Sequence, residues 1–447
     1  METVRIASDV TRSSALRTMA FLACLCAVAC SADDQKRETF GAGNVQDDQL
    51  PPPQYSRVLA VYPSQRLAIE QGTDVTTKSF QTELIADVKP VDPKVVETVP
   101  IKVISQPDDS RMATVADKKP TFADAVAPPH GLVAQVEPDK GKVQILEYDK
   151  SELQALAEVL TARGIAEPAP PIEHQGNEVT GDRFKGWSSP NATSNGVDNR
   201  VNLSNASNWE YKTYGRLWAA GGCTAALFGR RLAITAAHCI IDSQGNYVAG
   251  NLSLRQKGTY KPYGTQSVQR AWFGGRYLAN CINGAWDLNR CIPEDWALLV
   301  LEDNFPSGHP GWMGFAYPAE SYVRPLTKRS VGYPGCGLPE SPTNCRDNQL
   351  YGQTASCTIN EFMYPFSNGF NAAFSHSCDV SPGHSGSAHY YRDAGNLYIF
   401  GIASCQLCST CTVASVPDST TRRYPNLDKR IDDFIYNMMV NLRVQYP

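Results

Sequence analysis

Ile234-Thr235-Ala236-Ala237-His238-Cys239 closes a β-type apolar run on a histidine. The run before it, residues 223–233, is one of several beyond Arg200; others are residues 214–219, 296–301 and 397–403, with Gly, Pro, Asn and Asp between them. Short strands broken by turn formers predict an all-β sandwich or barrel. The chain's end changes period. Leu427, Ile431, Phe434, Ile435 and Met438 share one helical face, which predicts a C-terminal helix over 426–444.

A serine hydrolase needs a nucleophile, a base within hydrogen-bond reach, an orienter for that base and donors for the oxyanion. His238 is the candidate base. In Gly383-His384-Ser385-Gly386-Ser387, Ser385 is the candidate nucleophile, set between glycines that let the backbone turn tightly and aim its N–H groups at one point. Taken alone, Ser385 leaves two unrelated folds open. The Gly-x-Ser-x-Gly elbow of the α/β-hydrolases places its serine between a strand and a helix. Here Ser387 stands where that elbow has glycine, Asp379-Val380-Ser381-Pro382 leads in, and no helical run follows. The elbow is disfavoured.

With the histidine stretch and Asp295-Trp296-Ala297-Leu298-Leu299 added, the chain from about Arg200 onward resembles the trypsin/chymotrypsin family. The order His, Asp, Ser is that family's, and the α/β-hydrolase order is not seen. Val331-Gly332-Tyr333-Pro334-Gly335, Cys378-Asp379, Ser381-Pro382-Gly383, Ser385-Gly386-Ser387 and Asp198-Asn199-Arg200 are similar to its bacterial glutamyl-endopeptidase-like branch. The resemblance implies a chymotrypsin-like double β-barrel and a secreted serine endopeptidase that cleaves polypeptides through an acyl-enzyme. His238 would take the proton of Ser385, Asp295 would orient the imidazole, and the N–H groups of Gly383 and Ser385 would form the oxyanion hole. Ser404 would line the primary pocket and pair with the substrate backbone. Cys223 and Cys239, 16 residues apart, would form the disulfide that buttresses the histidine loop. Cys281–Cys291, Cys336–Cys345 and Cys357–Cys378 are further expected pairs.

Departures from the family bear on activation and specificity. His384 stands where the animal enzymes have the Asp that captures the new N-terminal amine, so their activation step does not carry over. Ala388 follows Ser-Gly-Ser where Pro is usual. Ala403 stands where Glu-specific members have His, which argues against an acidic preference. Asp379, six residues before Ser385, falls where trypsin-like members hold the carboxylate for Lys or Arg. It would then be a substrate-binding residue; capping of a turn is the competing reading.

At 447 residues the chain exceeds one compact domain. Its net charge of −4, from 41 basic and 45 acidic residues, gives no reason to expect nucleic acid as a partner. Arg5, Arg12 and Arg17 precede the apolar run 19–29, which ends in Ala27-Val28-Ala29 before Cys30. Residues 1–30 therefore predict a signal peptide, cut before Cys30 or serving as a bacterial lipoprotein signal with a lipid anchor on Cys30. Both place the chain outside the cytoplasm, as a secreted or cell-envelope protein. Residues 31–195 are expected to be a pro-segment, or else a permanent accessory region. They contain β-type runs at 56–69 and 99–104, an amphipathic helix at 150–163 on Leu153, Leu156 and Leu160, and proline-rich links. The polar run 186–198 is the expected cleavable connection to a protease domain at 196–447.

Eleven of the fourteen cysteines lie between Cys223 and Cys411, a disulfide framework with one thiol left over. Cys405, Cys408 and Cys411 read as part of it in preference to a metal site. No metal, no cofactor and a monomer are expected. His130, His174, His309, His376 and His389 lack any motif and read as surface or loop residues. Glu294 and Asp287 are weaker rivals to Asp295. A catalytically inactive, surface-attached binding relative is the alternative to a protease.

Overall fold

The structure is a computed structural model that describes residues 87–104, 131–163, 198–219, 222–282, 291–308, 310–337, 341–363, 373–393, 396–406 and 426–447. The leader with Cys30, the β-type run 56–69, the links at 164–197, Asp287, Cys408, Cys411, His130, His174 and His309 lie outside them. All described residues belong to the unit Leu50–Pro447.

The first strands are β1 (Lys94–Pro100), β2 (Leu132–Glu137) and β3 (Lys142–Glu147), followed by helix α1 (Lys150–Ala162). Next come β4 (Tyr214–Trp218), β5 (Cys223–Leu227), β6 (Leu232–Thr235), β7 (Asn251–Leu254), β8 (Gln266–Gly274) and β9 (Ala297–Leu301). These six pair in the order β8-β7-β4-β5-β6-β9, and β9 pairs back onto β8, so the sheet closes into a six-stranded barrel. Closure buries both the ring and its contents. Leu298, Leu299, Val300 and Leu301 are all 0% exposed, each burial contributing about 1.5–3 kcal/mol. That is why β9 reads as a continuous apolar run rather than an alternating one.

The second half supplies β10 (Thr327–Gly332), β11 (Tyr351–Gly352), β12 (Ile359–Met363), β13 (Ala373–His376), β14 (Ala388–Asp393), β15 (Asn396–Gln406) and β16 (Asn426–Arg430). They form a second sheet in the order β12-β13-β16-β15-β14-β10-β11, with Val201–Asn202 paired at its far end. Helix α2 (Asp433–Gln445) closes the chain. The all-β fold with a C-terminal helix is thus as expected, but the helix starts later than 426. Residues 426–430 are buried strand, held between β13 and β15. Two flanking ladders outweigh a helical spacing that Leu427 merely continues.

The N-terminal strands extend the barrel sheet: β2 pairs with β8, β3 with β2, and β1 with β3. Helix α1 is capped by Asp149, whose carboxylate accepts from Ser151 N–H and Glu152 N–H. It packs on α2 through an apolar face of Leu153, Leu156, Ala157 and Leu160. Val91 N–H donates to Asn441 Oδ1 at 2.8 Å, and Asn441 Nδ2 donates back to Val91 O. Val103–Ile104 adds a parallel pairing with Tyr247–Val248. Residues 87–104 and 131–163 therefore share one core with the barrel.

Among the described residues, four disulfides join Cys223–Cys239, Cys281–Cys291, Cys336–Cys345 and Cys357–Cys378. The first closes a 16-residue separation, a constraint of about 3 kcal/mol on the unfolded chain.

Candidate active site

Strands β6 and β9 run antiparallel with Ala297 opposite Thr235. Just beyond that pair, one chain leaves through the 3-10 turn Ala237–Cys239 and the other arrives through Ile292–Glu294. His238 and Asp295 are thereby brought to the same end of the barrel. Asp295 is 0% exposed. Its Oδ1 accepts from His238 N–H at 3.0 Å, and its Oδ2 lies 2.9 Å from His238 Nδ1. Ser404 Oγ donates to the same Oδ2. An ionised carboxylate only accepts, so Nδ1 carries the proton and Nε2 is left as the ring's acceptor. The Cys223–Cys239 disulfide anchors the turn from beside His238.

Ser385 follows a tight turn. His384 N–H donates to Ser381 O at 2.9 Å across Pro382 and Gly383, and Gly383 has φ +97°, the geometry of a type II turn. Pro382 O is held by Gly335 N–H at 2.7 Å. Because a trans peptide points its C=O and N–H oppositely, Gly383 N–H faces away from that loop. Thr224 completes the brace: its N–H donates to Ser385 O and its Oγ1 donates to Gly383 O at 2.8 Å. Gly386, at φ +78°, lies where a Cβ would come within 1.9 Å of Thr235 Oγ1. Ser387 Oγ donates to Val331 O, which accounts for serine at that position.

A Cβ on Gly383 would lie 2.3 Å from Tyr333 O, in a backbone region side chains rarely enter. Gly383→Ala must therefore move the turn. Removing one oxyanion donor costs about 10²–10³ in kcat where it has been measured. We expect a loss of that order with KM little changed, read from steady-state kinetics on a peptide substrate.

Asp379 is buried, and its Oδ2 accepts from Asn199 N–H and from Gln353 Nε2, each at 2.8 Å. Ala403 is buried opposite Asp428. Glu294 is buried too, with Oε2 accepting from Arg276 N–H, and burial pushes its carboxyl up to about 7.

One expectation is overturned. His376 and His389 are not surface or loop residues; both are 0% exposed, on β13 and β14. Asp428, on β16 between them in space, reaches His376 Nε2 at 2.8 Å and His389 Nδ1 at 2.9 Å. The sequence held no local signal for this, because the three residues meet only through strand pairing. Burial lowers His389 to about 4 and His384 well below 6.5. Burial would raise Asp428, but its two histidine partners outweigh it and hold the carboxyl at about 2. Between about 4 and 6.5 the unfolded chain binds more protons at His389 and His384 than the folded one, so stability rises with pH there. The Asp428 contribution is present above about 4 and is lost as pH falls towards 2. The melting temperature should thus fall from pH 7 to pH 4 in a thermal-denaturation series, and less steeply in His389→Gln.

No family model matches the chain. The glutamyl endopeptidase of Bacillus licheniformis is 26% identical over 144 residues, 31% of this chain and 42% of that protein. Over that stretch the chain is similar to a serine protease of the chymotrypsin-like kind. It spans 42% of the length of the curated relative it matches. Among solved structures, a Glu endopeptidase has a TM-score of 0.38 at 16% identity, covering 53% of this chain and 92% of its own. The protease Anisep from Arthrobacter nicotinovorans gives 0.35 at 16%, covering 50% and 90%. A thermostable serine protease from an extremophilic microorganism gives 0.36 at 14%, covering 54% and 100%. Among the described residues, no helix is long and apolar enough to cross a membrane.

Proposed function

We propose that the chain is a serine endopeptidase, exported through residues 1–30 and made as a precursor. The observation that carries the reading is the Asp295 carboxylate, which takes hydrogen bonds from His238 N–H and Ser404 Oγ and faces His238 Nδ1. That arrangement suits a base whose other ring nitrogen, Nε2, must accept a proton from a neighbouring hydroxyl. In this reading His238 Nε2 takes the proton of Ser385 Oγ as Oγ attacks the peptide carbonyl. Asp295 steadies the imidazolium, and Gly383 N–H and Ser385 N–H receive the oxyanion. His238 then returns the proton to the leaving amine, and water repeats the sequence on the acyl-enzyme. Polypeptides are the substrates.

In this reading primary specificity does not rest on Asp379. The Asp379 carboxylate is engaged by Asn199 and Gln353 within the chain, which supports turn capping over recognition of Lys or Arg. Incubation with casein and with a small ester tests the function. Casein cleavage that a fluorophosphonate stops is the expected result. Ester turnover with casein left intact would overturn the peptidase reading.

A further inference from the structure

The steps above make no use of Arg200, yet its surroundings are unusual for a cation that never loses its charge. Its side chain is 0% exposed. Asp198, two residues back, answers it: Oδ1 accepts from Arg200 N–H and Nε–H at 2.9 and 3.0 Å, and Oδ2 from NH2 at 2.9 Å. The pair is thus neutral as a unit and enters the interior already compensated. The fork's other arm, NH1, reaches the turn that leads into Ser385. It donates to Ser381 Oγ at 2.7 Å and lies 3.5 Å from His384 Nδ1. Burial first, and the guanidinium second, disfavour a charged His384, so its ring is suited to accept.

The neighbours of Arg200 grip the same region. Asn199 N–H holds Asp379, and Val201–Asn202 pairs with β11. Segment 198–202 is therefore fastened to both ends of the Asp379–His384 stretch. The amide of Asn199 does this while still bonded to Asp198, so no cut at that bond is needed. A cut there would in fact separate Asp198 from the guanidinium it neutralises.

We propose that Arg200, paired in advance with Asp198, is a positioning residue that fixes the turn from Ser381 to His384 and so sets the Gly383 and Ser385 N–H groups in place. The candidate site is then assembled in the uncut chain, by an internal cation rather than a freed N-terminal amine. This rests on the serine-hydrolase reading above.

The test measures the rate of Ser385 phosphonylation by a fluorophosphonate in the full-length chain, uncut and after N-terminal processing. Uncut and processed wild type should react within about threefold of each other. Arg200→Ala and Ser381→Ala should each slow the reaction by about 10²-fold, the scale of one misplaced oxyanion donor. Added methylguanidinium should restore part of the Arg200→Ala rate, which a merely structural role would not provide. An uncut chain that is inert until cleaved, or variants that react as fast as wild type, would overturn the proposal. Should Arg200→Ala fail to fold, Ser381→Ala and Arg200→Lys decide it, since Ser381→Ala leaves the ion pair whole. A wild-type chain that reacts in neither form would instead sink the hydrolase reading, and this proposal with it.

Discussion

Ser385→Ala should lower kcat for a peptide substrate by about 10⁵–10⁶ while leaving KM and the melting temperature near wild type. The rate falls because no other atom can form the acyl-enzyme. The fold survives because the turn is held by backbone: Ser385 O by Thr224 N–H, Pro382 O by Gly335 N–H, and His384 N–H by Ser381 O. None of these involves the Ser385 hydroxyl. His238→Ala should cost a similar factor, and the double variant little more than either alone, because nucleophile and base act as one unit. What remains is the contribution of binding and the oxyanion donors, about 10³-fold over water. Loss of less than tenfold in Ser385→Ala would contradict the assignment.

Asp295→Asn should reduce kcat by about 10⁴, again with modest change in KM. The carboxylate faces three donors: His238 N–H, His238 Nδ1–H and Ser404 Oγ–H. An amide presents one acceptor oxygen and one NH₂ group, so at least one donor meets another donor. If the NH₂ faces Nδ1, the imidazole moves its proton to Nε2, the nitrogen that has to receive the serine's. Stability should fall too, by about 1–3 kcal/mol for a buried donor left unsatisfied. Ser404→Ala is the control. It removes one donor without disturbing the tautomer, so its kinetic effect should be far smaller. Single-turnover kinetics with an activated ester separate the two, since the acylation rate reads the base directly.

What was legible in the sequence follows from how local each constraint is. His238, Asp295 and Ser385 sit in short stretches that resemble the motifs of one family: an apolar strand end, a bracing cysteine, glycines that permit positive φ. The disulfide pairs were readable for a similar reason, since each joins residues no more than 21 apart in the chain. The His376–Asp428–His389 group was not readable, because Asp428 lies 52 and 39 residues from its partners. Nothing beside those histidines marks them as buried. Arg200 was visible only as part of a motif; its contact with Ser381 spans 181 residues. The engagement of Asp379 by Asn199 spans 180, so no count back from Ser385 could have revealed it. The strand at 426–430 was misread because five residues between two ladders can share a helix's spacing by coincidence. Strands β1 to β3 were only partly visible, since they join the barrel through β2, whose partner β8 lies more than a hundred residues along the chain.

The central claim is that Ser385 is a nucleophile activated by His238. Treating the protein with a fluorophosphonate and mapping the adduct by peptide mass spectrometry tests it most directly. One adduct on the peptide containing Ser385, absent in His238→Ala protein that remains folded, is the predicted result. Casein cleavage that proceeds with Ser385 unmodified, or an adduct on another residue that accounts for the lost activity, would contradict it.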